Sequence, residues 1–271
     1  MNYRHAFHAG NFADCMKHAL LVWLVRAVLR KPAAFGALDT HAGIGHYNLD
    51  SGEAARSGEW QGGIGRLLAA RPAVLVDYLD LVEALGLYPG SPALMRALMR
   101  PDDRLVCCEL HPDDAGRLAR FFAGDRQVAV HHRDGREAVR GLLPLVQRRG
   151  LVLIDPPYEA DDEWRGLVRS LVAGHGRFRT GVFAAWYPIK HLAPVHGLHQ
   201  ALQASGMRDV VAAELHLRPP LDAGRLNGCG MIVVNPPFGF HADVPPIMAA
   251  LAAALGDGGQ GLGRVVTLVE E

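Results

Sequence analysis

The chain has 271 residues, 49% hydrophobic and 21% charged, which marks a globular protein with room for one large α/β domain or a domain carrying an insertion. Lysine plus arginine and aspartate plus glutamate both total 28, so no overall basic field exists and a nucleic-acid partner must be met by a local patch. No apolar run approaches the roughly 18 residues of a membrane span, and the N-terminal MNYRHAFHAGNFADCMKH lacks a signal-peptide core, so a cytoplasmic protein is expected. Cys15, Cys107, Cys108 and Cys229 show no C-x-x-C spacing, and Cys107 and Cys108 on one strand would face opposite sides of a sheet. Buried free thiols follow. The 14 histidines include no H-E-x-x-H and no cluster with carboxylates, so no metal site is expected.

In chain order, Asn11 or Asp14 caps a predicted helix that continues through Arg30, with Ala19, Leu20, Trp23, Leu24, Ala27 and Val28 at helical spacing. A first strand, Ala34 to Asp39, runs into Thr40-His41-Ala42-Gly43-Ile44-Gly45, a turn that lets a nucleoside approach the backbone at a strand's carboxyl end. In a plain nucleotide-binding unit the next acidic strand end lies about 20 residues on. Here that stretch holds helix-forming sequence instead, Gly58 to Ala70 and Ala73 to Leu85, closed by the turn Tyr88-Pro89-Gly90-Ser91-Pro92. The expected organisation is therefore residues 1–49 as tail, helix and first strand, 50–87 as a helical insertion, and 88–271 as the remainder of the same domain. Further strands are Arg104 to Glu109, Val128 to His131, the run ending at Asp155, Gly181 to Trp186, Val210 to Leu217 and Met231 to Val234. Alternation of strands with helical stretches predicts a mainly parallel sheet covered on both faces.

Four successive strands end in Asp39, Glu109, Asp134 and Asp155, and ligands of open α/β sheets bind at such ends. Glu109 suits two ribose hydroxyls, and Asp134 an adenine amine. With no G-x-G-x-x-G for a pyrophosphate and no Walker lysine, the implied cofactor is S-adenosylmethionine. Leu151-Val152-Leu153-Ile154-Asp155-Pro156-Pro157-Tyr158 then carries the chemistry. The lone pair of an exocyclic amine such as adenine N6 is delocalised into the ring, and acceptors on its two hydrogens localise it. Asp155 and the Pro156 carbonyl are two such acceptors, left free because proline turns the chain away from the sheet, and Tyr158 can stack on the base. Asn235-Pro236-Pro237-Phe238 repeats the pattern, but it lies beyond the four cofactor-side strands and is read as structural. Arg4, Lys17, Arg177, Arg179 and Lys190 are candidates for contacts with a nucleic-acid backbone.

Nearly end to end the sequence resembles the bacterial ribosomal RNA large-subunit methyltransferase J family. The resemblance rests on Tyr3-Arg4-His5, Phe7-His8-Ala9-Gly10-Asn11, Lys17-His18, Asp39-Thr40-His41-Ala42-Gly43, Tyr88-Pro89-Gly90-Ser91-Pro92, Glu109-Leu110-His111-Pro112, Asp134-Gly135, Asp155-Pro156-Pro157-Tyr158, Trp186-Tyr187-Pro188 and Asn235-Pro236-Pro237. It implies a Rossmann-like class I S-adenosylmethionine-dependent methyltransferase, α/β with a mainly parallel seven-stranded sheet and a small helical insertion between strands one and two. It implies N6 methylation of one flipped adenine of 23S rRNA, A2030, before full ribosome assembly. His18, His41, Ser91, Glu109, Asp134, Gly135 and Asp155 would contact the cofactor. Asp155 would be the catalytic acceptor, with Pro156 and Tyr158 beside it, and Tyr3, His5 and Lys17 would meet the RNA. A monomer without an obligate protein partner is expected. The sequence departs from the family at Ile44, bulkier than the usual residue, and at Phe238, where a tryptophan is usual. A DNA adenine or protein-glutamine methyltransferase uses a similar turn, and an RNA-binding assembly factor without turnover is the alternative outside enzymes.

Overall fold

The computed structural model describes residues 5–50, 52–159 and 162–271; the expected RNA contact Tyr3 and the candidate Arg4 lie outside the described residues. Among the described residues ten strands form, β1 (Gly36–Asp39), β2 (His46–Tyr47), β3 (Tyr88–Pro89), β4 (Arg104–Glu109), β5 (Val128–His132), β6 (Gly150–Ile154), β7 (Val182–Ile189), β8 (Val210–His216), β9 (Gly228–Val234) and β10 (Leu262–Val269). Eight of them make one sheet in the order β10-β8-β9-β7-β6-β1-β4-β5. From β5 to β7 every neighbour is parallel, whereas β9 runs antiparallel between β7 and β8, and β10 antiparallel to β8.

The sheet thus has eight strands where seven were expected. The addition, β10, is an edge strand in which only Leu268 is buried and the other residues are partly or fully exposed, so it lacks the continuous burial of a central strand. By contrast β1, β6, β8 and β9 are buried at every position. The period-two pleat divides them between two cores: Leu151 and Leu153 face one layer, Val152 and Ile154 the other. Cys107 and Cys108 are split the same way, and all four cysteines are buried and free.

The helices are α1 (Phe12–Leu29), α2 (Gly52–Ser57), α3 (Glu59–Gly62), α4 (Ile64–Ala70), α5 (Val76–Leu85), α6 (Ser91–Leu98), α7 (Pro112–Phe121), α8 (Gly135–Leu142), α9 (Glu163–Arg177), α10 (Leu192–Gln203) and α11 (Phe240–Leu255). Of the two candidate caps, Asn11 starts α1, its Oδ1 accepting from the amides of Ala13 and Asp14, both at 3.0 Å. Helix α1 is buried on nearly all sides because α6, α11, α5 and the sheet surround it. Helices α2 to α5 fall between β2 and β3, which pair antiparallel and so bring the two ends of that segment together. Ile64, Leu67, Tyr78 and Leu79 from these helices share one core with α1 and α11. No helix among the described residues is long and apolar enough to cross a membrane.

Topology decides which acidic strand ends meet. The parallel strands β1, β4 and β6 deliver Asp39, Glu109 and Asp155 to one edge of the sheet. Asn235 is delivered to the other edge, since β9 is antiparallel and its last residue, Val234, pairs with Phe183 near the start of β7. There the Asn235 amide donates to the carbonyls of Arg179 and Gly181, each at 2.8 Å. Arg179 therefore belongs to that far edge, and so does Arg177 at the carboxyl end of α9, where its Nε donates to the Leu143 carbonyl.

Strand β10 is fastened by a buried charge. Glu214 on β8 is wholly buried; it accepts from Tyr187 Oη at 2.7 Å and from Arg264 Nε at 2.7 Å, with His216 Nε2 at 3.4 Å. Burial alone would raise its pKa, but the hydrogen bonds from His216, Tyr187 and Arg264 prevail and hold it down at about 2, against 4.5. A depressed carboxylate contributes stability above its unfolded value, and this is lost as pH falls from 4.5 toward 2. Glu214→Gln is expected to lower the melting temperature at pH 7 and to flatten its decline between pH 5 and pH 2, as followed by circular dichroism; an unchanged acid limb would assign acid sensitivity to other groups.

Candidate active site

A cavity of about 950 Å³ opens where the parallel strands end, large enough for a nucleoside-sized ligand together with a base. Beneath its floor, behind the lining residue Ser91, lies Asp39. Wholly buried, this carboxyl accepts from Ser91 Oγ at 2.6 Å and from the His41 amide at 3.2 Å. Glu109, also buried, receives the Gly43 amide at 2.9 Å on one oxygen and the His111 amide at 2.8 Å on the other. These bonds draw the β1 turn and the β4 end against each other. Gly43 has φ +61°, and a Cβ there would stand 2.3 Å from Tyr47 Oη; Gly135 is equally tight, its Cβ falling 2.6 Å from the Thr40 carbonyl. Gly43 keeps the backbone bare on the cavity wall, and Gly135 lets the start of α8 pack against the β1 turn. The bulky Ile44 turns into the core and does not line the cavity.

Two buried histidines of the site, His18 and His41, are neutral. His18 bonds Tyr88 Oη at 2.9 Å through Nδ1, and burial lowers its pKa to about 3. His41 bonds Thr40 Oγ1 at 2.7 Å, and burial takes it to about 4. Asp134 is placed differently. It caps α8, Oδ1 accepting from the amides of Arg136 at 2.8 Å and Glu137 at 3.1 Å, and neither it nor Gly135 is among the lining residues. Among the described residues, no group of three His, Cys, Asp or Glu is arranged to hold a metal ion.

The second half of the site surrounds Asp155. Lys17 on α1 lays its Nζ 2.6 Å from Asp155 Oδ2 and 2.8 Å from Asp14 Oδ1. Asp14 in turn takes the Gly10 amide at 3.0 Å and His5 Nε2 at 2.9 Å on its other oxygen. Burial by itself would lower the Lys17 pKa, but the two carboxylates more than offset it and raise the ammonium well above its ordinary value. Asp14 is held well below its ordinary value, with burial opposed by His5, Lys17 and His18. Lys17 was expected at the RNA backbone; its side chain is 6% exposed and its charge faces two carboxylates, so it belongs to the interior of the site. His5 lines the cavity with its ring edge-on to Tyr47.

Tyr158 has φ +54°, and its Oη donates to the Trp186 carbonyl at 3.0 Å. Trp164 and Trp186 flank its ring edge-on at 5.1 and 5.8 Å, so the ring is immobilised beside Pro156 and Pro157 on the cavity wall. Sequence reasoning missed Asp14 and this aromatic pair, and it named Asp39 only as a strand end. The Asp14-x-x-Lys17 spacing was a visible helical ion pair; its continuation to Asp155, 138 positions away, was not.

A family model described as ribosomal RNA large subunit methyltransferase D, RlmJ, matches residues 32–269. Two curated relatives, both named ribosomal RNA large subunit methyltransferase J, align with the whole chain over their own whole length. That of Escherichia coli is 37% identical over 279 residues and that of Haemophilus influenzae 36% over 280. A crystal structure of a Legionella pneumophila protein superposes with a TM-score of 0.88 at 30% identity, covering 96% of this chain and 98% of its own. A probable spermidine synthase from Corynebacterium glutamicum, 13% identical, shares the fold alone with a TM-score of 0.51.

Burial raises the Asp39 carboxyl from 3.8 to about 7, against the opposing pull of Ser91 and the His41 amide. A raised acid contributes stability that is complete below 3.8 and lost as pH climbs through about 7. In the absence of ligand, the melting temperature should therefore fall between pH 5 and pH 7 and level off above that, and Asp39→Asn should remove most of that fall. Calorimetric scans giving the same slope for both proteins would contradict the assignment.

Proposed function

Because the chain belongs to the ribosomal RNA large subunit methyltransferase J family, we propose that it methylates N6 of one adenine of 23S rRNA, A2030, before the large subunit is complete. The observation that carries this reading is Asp155. Its Oδ2 is fixed by Lys17 at 2.6 Å at the mouth of the turn whose next residues are Pro156, Pro157 and Tyr158, which leaves Oδ1 and the Pro156 carbonyl as acceptors in a cavity shared with Ser91 and Glu109.

S-adenosylmethionine fits the cofactor half. Glu109 offers acceptors for ribose hydroxyls, Asp39 and Ser91 a polar floor, and His18 and His41 neutral rings that add no positive charge beside a cationic ligand. The bare backbone at Gly43 suits the close approach of such a ligand. Asp134 and Gly135 are assigned to the same group at its adenine end. When bound, the cofactor supplies a methyl group already activated by its sulfonium. What the chain must do is align the amine with it, exclude water and localise the lone pair.

Asp155 Oδ1 and the Pro156 carbonyl accept the two N6 hydrogens, while the immobilised Tyr158 ring lies against the base. The amine is neutral, so no base acts before attack. After transfer the nitrogen is cationic and strongly acidic, and its proton leaves to Asp155 or to water. Lys17 is a positioning residue: by holding Oδ2 it turns Oδ1 toward the base. The adenine must leave its stack, which costs a few kcal/mol and is easier in a loop, so single-stranded or irregular RNA is the target. His5 and, beyond the described residues, Tyr3 are assigned to its placement. The reaction belongs to a monomer working on rRNA in the cytoplasm.

Radiolabelled methyl transfer is expected to protein-free 23S rRNA and not to genomic DNA, with fully assembled large subunits a poor substrate. Asp155→Ala should cut single-turnover transfer by more than 100-fold, a barrier increase above about 2.7 kcal/mol, in a protein that still melts cooperatively. Asp155→Asn should lose less, because its amide oxygen still accepts from N6. Equal loss in both would shift the emphasis from hydrogen-bond acceptance to charge, and transfer to DNA alone would overturn the rRNA assignment.

A further inference from the structure

One wall of the cavity comes from the end of β7 and from the loop between β8 and β9, residues 217–227; Lys190, Arg218 and Arg225 all line it. Arg218 is committed, its Nε donating to Asp257 Oδ2 at 2.6 Å and its Nη1 to the Leu226 carbonyl at 3.1 Å. Lys190 and Arg225 are exposed, and among the described residues neither has a side-chain hydrogen bond or ion pair. The acid nearest in sequence, Asp222, turns Oδ1 back to the Gly224 amide at 2.9 Å. Two uncompensated cations thus stand on the rim of a cavity in a molecule of zero formal net charge.

They are held together by one side chain. Asn227, 1% exposed, donates Nδ2 to the carbonyls of Lys190 at 2.7 Å, Asp222 at 2.7 Å and Arg225 at 3.3 Å. Its own amide donates to the Ile189 carbonyl, and its carbonyl accepts from the Leu217 amide. The loop base is therefore fixed to the end of β7, and the backbones of both cations with it. At the far end, Pro219 and Pro220 restrict the chain, and Leu221 projects with 91% of its surface exposed. An exposed leucine alone signifies little. Beside two fixed, unpaired cations at the entrance of a base pocket, it matches what a single RNA strand presents, phosphates for the cations and a base face for the apolar tip.

We propose that residues 217–227 and Lys190 form a clamp for the rRNA strand that flanks the target adenine. Lys190 and Arg225 each neutralise one phosphate, Leu221 covers the face of a neighbouring base, and Asn227 positions the two cations. The clamp rests on the rRNA reading above. It replaces Arg177 and Arg179, on the opposite edge of the sheet, as the place where the backbone is gripped.

The test is binding of protein-free 23S rRNA across a salt series, with methyl transfer and cofactor affinity measured on the same proteins. For single strands each lost phosphate contact lowers the slope of log K against log salt by about 0.7. Lys190→Ala with Arg225→Ala should therefore reduce the slope by about 1.4 and weaken binding at least about tenfold, with melting temperature and S-adenosylmethionine affinity unchanged. Leu221→Ser should weaken binding several-fold at an unchanged slope, and Arg179→Ala should alter neither. If wild-type protein methylates the rRNA while the double variant keeps its slope and affinity, the clamp is wrong and the enzyme assignment stands. If wild-type protein neither binds nor methylates the rRNA, both fall together.

Discussion

Lys17 holds its ammonium between Asp14 and Asp155, at 2.8 and 2.6 Å, with 6% of its side chain exposed. Taking three charges out of water is costly, and mutual attraction compensates only where geometry is good and the remaining lone pairs are satisfied. Both conditions are met here. Asp14 spends its second oxygen on the Gly10 amide and His5, and Asp155 keeps one oxygen turned to the cavity side. The triad ties the start of α1 to the end of β6, so the helix that fills the core also fixes the carboxylate of Asp155. Substituting Lys17 would leave two carboxylates facing each other, which makes this interaction a condition for the site and not an ornament of it.

The sheet supplies the complementary constraint. Parallel pairing from β5 to β7 brings acidic strand ends to one edge, and the reversal at β9 removes Asn235-Pro236-Pro237 to the other. Two similar turns in one chain thereby stand at opposite edges of the sheet, and they differ locally as well, the left-handed residue at φ +54° being Asn235 in one and Tyr158 in the other. Phe238, 96% exposed after the second turn, stands on that far edge as well.

What could be read from the sequence was whatever depends on neighbours in the chain. Continuous apolar runs gave β4, β6 and β8 to within a residue, and β9 without its first three residues, where Gly228 and Gly230 interrupt the apolar run; the late appearance of Glu109 exposed the helices between β2 and β3. Asn11 and Asp14 were both plausible caps; the helix starts one residue after Asn11, and Asp14 is free for the triad. Edge strand β10 escaped because partial exposure blurs its pattern. The long-range pairings escaped for a different reason. Lys17 to Asp155 and Asn227 to Lys190 join side chains whose proximity is set by topology, and composition carries no trace of them. Zero net charge was a fair warning that any nucleic-acid surface must be local, but scattered arginines gave no way to tell Arg177 and Arg179 from Lys190 and Arg225.

The central claim is that fixed acceptors at the end of β6 select an exocyclic amine. It is tested most directly by nucleoside mass spectrometry of 23S rRNA reacted with the protein and deuterium-labelled methyl donor. The account requires the label in N6-methyladenosine at a single adenine. Label in 1-methyladenosine, 2-methyladenosine or a ribose 2′-O-methyl group would contradict it, because none of those positions offers two hydrogens to Asp155 and the Pro156 carbonyl.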